Sequence, residues 1–139
     1  MLEFMPYETI HVHHNGRGHF CTSTSIGGKV RLYDSLSLPP SKELIAQLTS
    51  LYSPDPETCP EISLATIECK QLGVHDCGLF ALAYTYDLAH GEDPSMYKYN
   101  QDKFRDHLIE CLTSNKMLPF PKVATHTVLP KPRTITGQW

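Results

Sequence analysis

The stretch Gln71–Phe80, Gln-Leu-Gly-Val-His-Asp-Cys-Gly-Leu-Phe, most narrows what this chain can become. A polar, glycine-bearing run stops at a cysteine, and an apolar segment from Cys77 to Asp87 follows at once. That segment reads as the opening turns of a buried helix, which puts Cys77 at a helix N-terminus. Unpaired backbone N–H groups and the positive end of the helix dipole favour an anion there. A thiolate is such an anion, and this is a setting in which cysteines become reactive. Position alone therefore makes Cys77 a candidate nucleophile. The structural alternative is that cysteine is among the most buried residue types, and most buried thiols are inert.

The rest of the chain reads as a frame for that stretch. Residues Glu8 to His14 alternate, Ile10 and Val12 against His11 and His13, a strand pattern with one buried face. Asn15-Gly16-Arg17-Gly18 is a hairpin turn signal, and His19 to Ser25 reads as the returning strand. After Ile26-Gly27-Gly28-Lys29, Val30 to Ser35 reads as a third strand, completing an antiparallel meander. Leu38-Pro39-Pro40 breaks the sheet. Ser41 is an N-cap candidate for a helix with an apolar stripe of Leu44, Ile45, Leu48 and Leu51. Pro54, Pro56 and Pro60 mark a loop, and Ile62 to Cys69 suits a strand buried on both faces. Gly91 reads as the stop of the Cys77 helix. A last helix is expected from near Asn100, with Phe104, Leu108, Cys111 and Leu112 inward. Beyond Met117 periodicity dissolves among prolines. Residues 1–121 therefore read as one domain and 122–139 as an extended or disordered tail.

A chain of 139 residues suffices for one core. A net charge of −3 gives no basic footprint for nucleic acid or an anionic membrane. Five cysteines, odd in number and without CxxC spacing, argue against a disulfide framework and a zinc ribbon. No secretory signal is evident, and no apolar run approaches a membrane span, so a reducing intracellular compartment is the default. His11 and His13, two apart on one strand face, are compatible with a metal given a third ligand. A solvated polar face explains them as well, and neither a metal nor a cofactor is assigned.

Thiol catalysis needs a base to take the thiol proton, a group to orient that base, and donors for an oxyanion. His19, opening the second strand after a tight turn, is the candidate base. Asp34, closing the third strand in Leu-Tyr-Asp-Ser, is the candidate orienting group, because adjacent antiparallel strands can hold such a pair in reach. Gln71 is a candidate oxyanion donor alongside the Cys77 N–H. Each has a plainer reading, as a surface histidine, a strand-end turn residue and a loop amide. His75 adjoins the thiol in sequence, but neighbouring side chains diverge, and a base is usually close in space instead.

The ordered set His19, Asp34, Gln71 and Cys77 resembles the ubiquitin-like-protein-specific cysteine proteases, the Ulp/sentrin-protease family. The matching pieces are Gly-His-Phe at 18–20, Leu-Tyr-Asp-Ser at 32–35, Gln71 six residues before the cysteine, Asp76-Cys77-Gly78, and Phe80. Together they cover roughly Ile10 to Pro121. The resemblance implies an α+β, papain-like fold, an antiparallel sheet packed against the helix that starts at the nucleophile. It implies Cys77 as nucleophile, His19 as general base and acid, Asp34 holding the imidazole, and Gln71 in the oxyanion hole. It also implies, as substrate and partner, the C-terminal glycine tail or isopeptide of a SUMO-like ubiquitin-like modifier, in the nucleus or cytoplasm. Two departures stand out. Phe20 occupies the place of the family's Trp after the histidine, an apolar cover and substrate contact without the indole donor. Only Met1 to Glu8 precede the histidine strand, where the family carries further helices and strand, so a domain short of its N-terminal lobe is expected. The alternative is a protease-like module that binds a ubiquitin-like protein, or another partner, without turnover.

Overall fold

The computed structural model describes residues 8–125 and 133–135. In chain order its regular elements are β1 (Ile10–His14), β2 (Phe20–Thr24), β3 (Arg31–Tyr33), α1 (Lys42–Tyr52), β4 (Ile62–Leu64), α2 (Cys77–Ala89), β5 (Tyr97–Tyr99), α3 (Phe104–Ser114), β6 (Lys122–Ala124) and β7 (Arg133–Ile135). Short 3-10 turns lie between some of them. The architecture is α+β.

β1 and β2 form the expected hairpin, with Ile10 opposite Thr24 and His14 opposite Phe20. The turn takes two glycines at positive φ, 81° at Gly16 and 77° at Gly18. The Asn15 side-chain oxygen closes it by accepting the N–H groups of Arg17 (2.7 Å) and His19 (3.2 Å). β3 pairs antiparallel with β2, with Thr22 opposite Tyr33. β4 then joins β3 in parallel, and β7 joins β4 antiparallel, giving the order β1-β2-β3-β4-β7. The sheet is therefore mixed, which corrects the antiparallel sheet expected from sequence. Parallel neighbours require a crossover, and α1 supplies it between β3 and β4. The helix begins where Ser41 Oγ accepts the Leu44 N–H at 3.2 Å.

Successive strand residues face opposite sides, and both sides are covered. Leu32 and Cys21 pack with Leu44, Leu48 and Tyr52 of α1. Tyr33 packs with Phe80, Tyr84 and Leu88 of α2, and with Tyr99, Phe104 and Phe120. α2 is tied to β2 through Thr22, whose hydroxyl donates to the Ala81 carbonyl at 2.9 Å. At the far end of α2, buried Asp87 accepts from the Tyr99 hydroxyl and pairs with Lys122 Nζ at 2.8 Å, fastening the β5–β6 ribbon to the helix. Gly91, at φ 78°, follows α2 as its sequence position suggested.

Three local expectations change. The segment before α3 is a 3-10 turn, Gln101–Lys103, and the inward stripe of α3 is Phe104, His107 and Cys111. Leu112 is 73% exposed. His107 can be buried because its Nε2–H donates to the Leu118 carbonyl at 3.0 Å and its ring packs on Phe120. The sheet face of His11 and His13 is not solvated throughout, since His13 lies buried beneath α1. Of the segment read as a tail, 122–124 pairs with β5 and 133–135 with β4. Residues 126–132 and 136–139 of it lie outside the described residues. Among the described residues no helix is long and apolar enough to cross a membrane.

Candidate active site

Antiparallel pairing sets the start of β2 beside the end of β3, and the two candidate residues sit there. His19 Nε2 and Asp34 Oδ1 are 2.8 Å apart, and both side chains are buried. The same Asp34 oxygen accepts the Leu36 N–H at 2.8 Å, so the carboxylate is held from its own turn as well. With Nε2–H donating to Asp34, the imidazole has Nδ1 left for proton transfer, and Nδ1 makes no hydrogen bond among the described residues.

Cys77 is the first residue of α2, and its side chain is buried. Its Sγ lies 4.0 Å from the carbonyl oxygen of Gly18, the residue before His19. The Phe20 ring closes the same corner. A Cβ on Gly78 would meet its Cδ2 at 3.7 Å, and the ring stands edge-on to His14 at 4.9 Å. Phe20 thus fills the space between the hairpin and the helix start. The nearby Cys21 thiol is pushed up to about 12 by burial first, then by the charges of Asp34 and Cys77. At neutral pH it is held as the thiol.

Gln71 is buried and stitched to the residue after Asp34. Its N–H donates to the Ser35 carbonyl at 2.9 Å, and its Oε1 accepts from the Ser35 hydroxyl at 2.5 Å. Its Nε2 donates to the Gly73 carbonyl at 3.0 Å. An amide nitrogen carries two protons, so one remains for a further acceptor. Sequence reasoning found Gln71 but not the serine that orients it.

Asp76, directly before the helix, makes no side-chain cap bond to α2. Its carboxylate turns instead to Gln101 Nε2 at 2.9 Å and to an Arg105 guanidinium nitrogen at 2.5 Å. No periodicity or motif signals either partner, because both come from a segment far along the chain.

The remaining histidines have other work. His13 sits in a hydrogen-bonded chain. Tyr52 Oη lies 2.7 Å from Ser23 Oγ, Ser23 Oγ lies 2.6 Å from His13 Nε2, and His13 Nδ1–H donates to Gln47 Oε1 at 2.9 Å. Burial lowers the His13 pKa, which favours a neutral imidazole whose Nε2 accepts from Ser23. No group of three or more His, Cys, Asp or Glu among the described residues could hold a metal. His107 and Cys111 form a second contact, 3.4 Å between Nε2 and Sγ. There Nε2–H is directed at the Leu118 carbonyl, so that nitrogen cannot take a thiol proton.

Comparison of the chain with protein-family models, with curated proteins and with solved structures gives no match. What defines the class of site is its own geometry. It is a buried imidazole–carboxylate pair at the ends of two neighbouring strands of a mixed sheet, beside a helix that begins with a thiol.

Proposed function

We propose that the chain is a cysteine peptidase of papain-like, Ulp type, acting on the C-terminal tail or isopeptide of a ubiquitin-like modifier. The observation that carries this reading is the 2.8 Å His19–Asp34 pair, buried next to the start of the helix headed by Cys77. The residue pattern shared with the Ulp/sentrin-protease family supplies the substrate class.

His19 Nδ1 takes the Cys77 proton while Asp34 fixes the tautomer and steadies the imidazolium. The thiolate attacks the carbonyl carbon, and the oxyanion is met by the N–H of Cys77 and the second amide proton of Gln71. The C–N bond breaks as the imidazolium returns its proton to the leaving amine, giving a thioester. Water, deprotonated by His19, then hydrolyses the thioester and restores the thiol. Exposed Leu72 (74%) and Val74 (69%), in the loop leading into the helix, offer an apolar rim for an extended tail.

The test is a ubiquitin-like-modifier vinyl sulfone panel against the folded protein. Labelling of Cys77 by one or more modifiers is expected, with Cys77→Ala abolishing it and Asp34→Asn slowing it less severely. A folded protein that labels with none of them sinks the peptidase reading. A second reading has one observation in its favour, the Gln71 amide bonded within its own loop. It takes the domain as a module that holds the modifier without cutting it. Modifier binding that survives Cys77→Ser, from a parent without turnover, is its signature.

A further inference from the structure

An aspartate immediately before a helix ordinarily accepts N–H groups of the first turn and adds a negative charge there. At α2 the first helical bond runs from the Phe80 N–H to the Asp76 carbonyl. The N–H groups of Cys77, Gly78 and Leu79 precede it and need another acceptor. The Asp76 carboxylate is close enough in sequence to serve, yet it faces away.

Two residues of the segment leading into α3 hold it there. The Gln101 carboxamide uses its full fork. Oε1 accepts the Leu72 N–H at 2.7 Å, and Nε2 donates to the Leu72 carbonyl at 2.8 Å and to Asp76 Oδ2 at 2.9 Å. Arg105 holds the other carboxylate oxygen at 2.5 Å. One amide therefore grips both ends of the loop between Gln71 and Cys77, and a guanidinium completes the grip.

We propose that Gln101 and Arg105 are positioning residues that keep the Asp76 carboxylate off the start of α2, leaving its N–H groups open for the reacting thiolate and oxyanion. The inference rests on the peptidase reading for its purpose, but not for its test. Released, Asp76 would cap the helix, occupy the donors and set a negative charge beside the sulfur. The titratable groups around that sulfur are His19, next to the Gly18 carbonyl it meets, Asp34, paired with His19, Cys21, which feels the charge at Cys77, and the preceding residues Asp76 and exposed His75. Arg105 reaches it through Asp76.

The experiment follows alkylation of Cys77 by iodoacetamide against pH, with peptide mapping to separate the five cysteines. In Gln101→Ala/Arg105→Ala the pH midpoint is expected to move upward, and the rate at pH 7 to fall roughly threefold to tenfold. Adding Asp76→Ala to that background is expected to restore the parent profile. Mere loosening of the loop, or loss of the arginine charge, predicts no restoration. The single variant Arg105→Ala, at a side chain 68% exposed, guards against misfolding and is expected to show a smaller shift in the same direction. An unchanged profile in the double variant, or a loss that Asp76→Ala does not reverse, overturns the inference. Failure of the modifier probes with the alkylation pattern intact removes the peptidase reading and leaves the clamp standing.

Discussion

Lys122→Met is the sharpest test of how the helix that carries Cys77 is held. Asp87 is 1% exposed at the side chain and Lys122 16%, with 2.8 Å between Nζ and Oδ1. The ammonium also lies 4.1 Å from the centroid of the Tyr97 ring. Methionine keeps most of the stem and removes the charge, leaving Asp87 with the Tyr99 hydroxyl and no cation. Breaking a buried pair from one side costs about 3–5 kcal/mol. Partial access of water to Lys122 argues for the lower end, so about 3 kcal/mol is expected, roughly 10 °C in Tm for a chain of this size. Asp87→Asn added to Lys122→Met removes the stranded charge and keeps an acceptor for Tyr99. That double variant is expected to recover about 2 kcal/mol of the loss. Urea unfolding followed by far-UV circular dichroism measures both. A single variant that loses under about 1 kcal/mol, or a double variant no better than the single, would refute the claim that this ion pair is desolvated.

Three further outcomes follow from the packing and the titrating groups. Phe80, three residues into α2, touches Phe104 at 4.8 Å, Tyr84 at 6.0 Å and Tyr99 at 6.3 Å between centroids. Phe80→Ala is expected to cost about 3–5 kcal/mol and Phe80→Leu much less, read from denaturant midpoints; near-equal costs would mean the cluster is looser than described. Burial lowers the His13 pKa, so below about pH 6.5 the unfolded chain binds the proton first and stability falls as pH falls. His13→Gln is expected to flatten that acid limb between pH 7.5 and 5.5, and an unchanged slope counts against a neutral, buried imidazole. Tyr33, Tyr84 and Tyr99 are all raised, mainly by burial, so their contribution is complete below about pH 10 and is lost as pH rises beyond it. Tyrosine ionisation followed at 295 nm is expected to track alkaline unfolding, not to precede it.

The parts of the fold that were legible in the sequence are those with local causes. The Asn15–Gly18 turn sets the first hairpin, Ser41 caps α1, and the break at Cys77 starts α2. Those three signals also put His19, Asp34 and Cys77 at element ends, which is why the His19–Asp34 pair could be expected. Strand pairing has no local cause. Nothing within Ile62–Leu64 says that it lies parallel to β3, and two strands of three residues in a proline-rich stretch are too short to show a period. The inward turn of His107 in place of Leu112 depends on the Leu118 carbonyl, and the hold on Asp76 depends on Gln101 and Arg105. Such polar pairings are settled by tertiary geometry, and a pattern of apolar positions carries no trace of them.

The parallel seam between β3 and β4, with the crossover it needs, also makes one closure of the fold longer than another. His19 and Asp34 sit on neighbouring strands joined by a short turn, so their union asks little of a searching chain. Cys77 lies beyond α1 and β4 in the chain, so bringing it to that pair closes a wider loop at greater entropic expense. A newly made molecule would thus unite His19 with Asp34 at a smaller loss of chain freedom than it brings Cys77 to them.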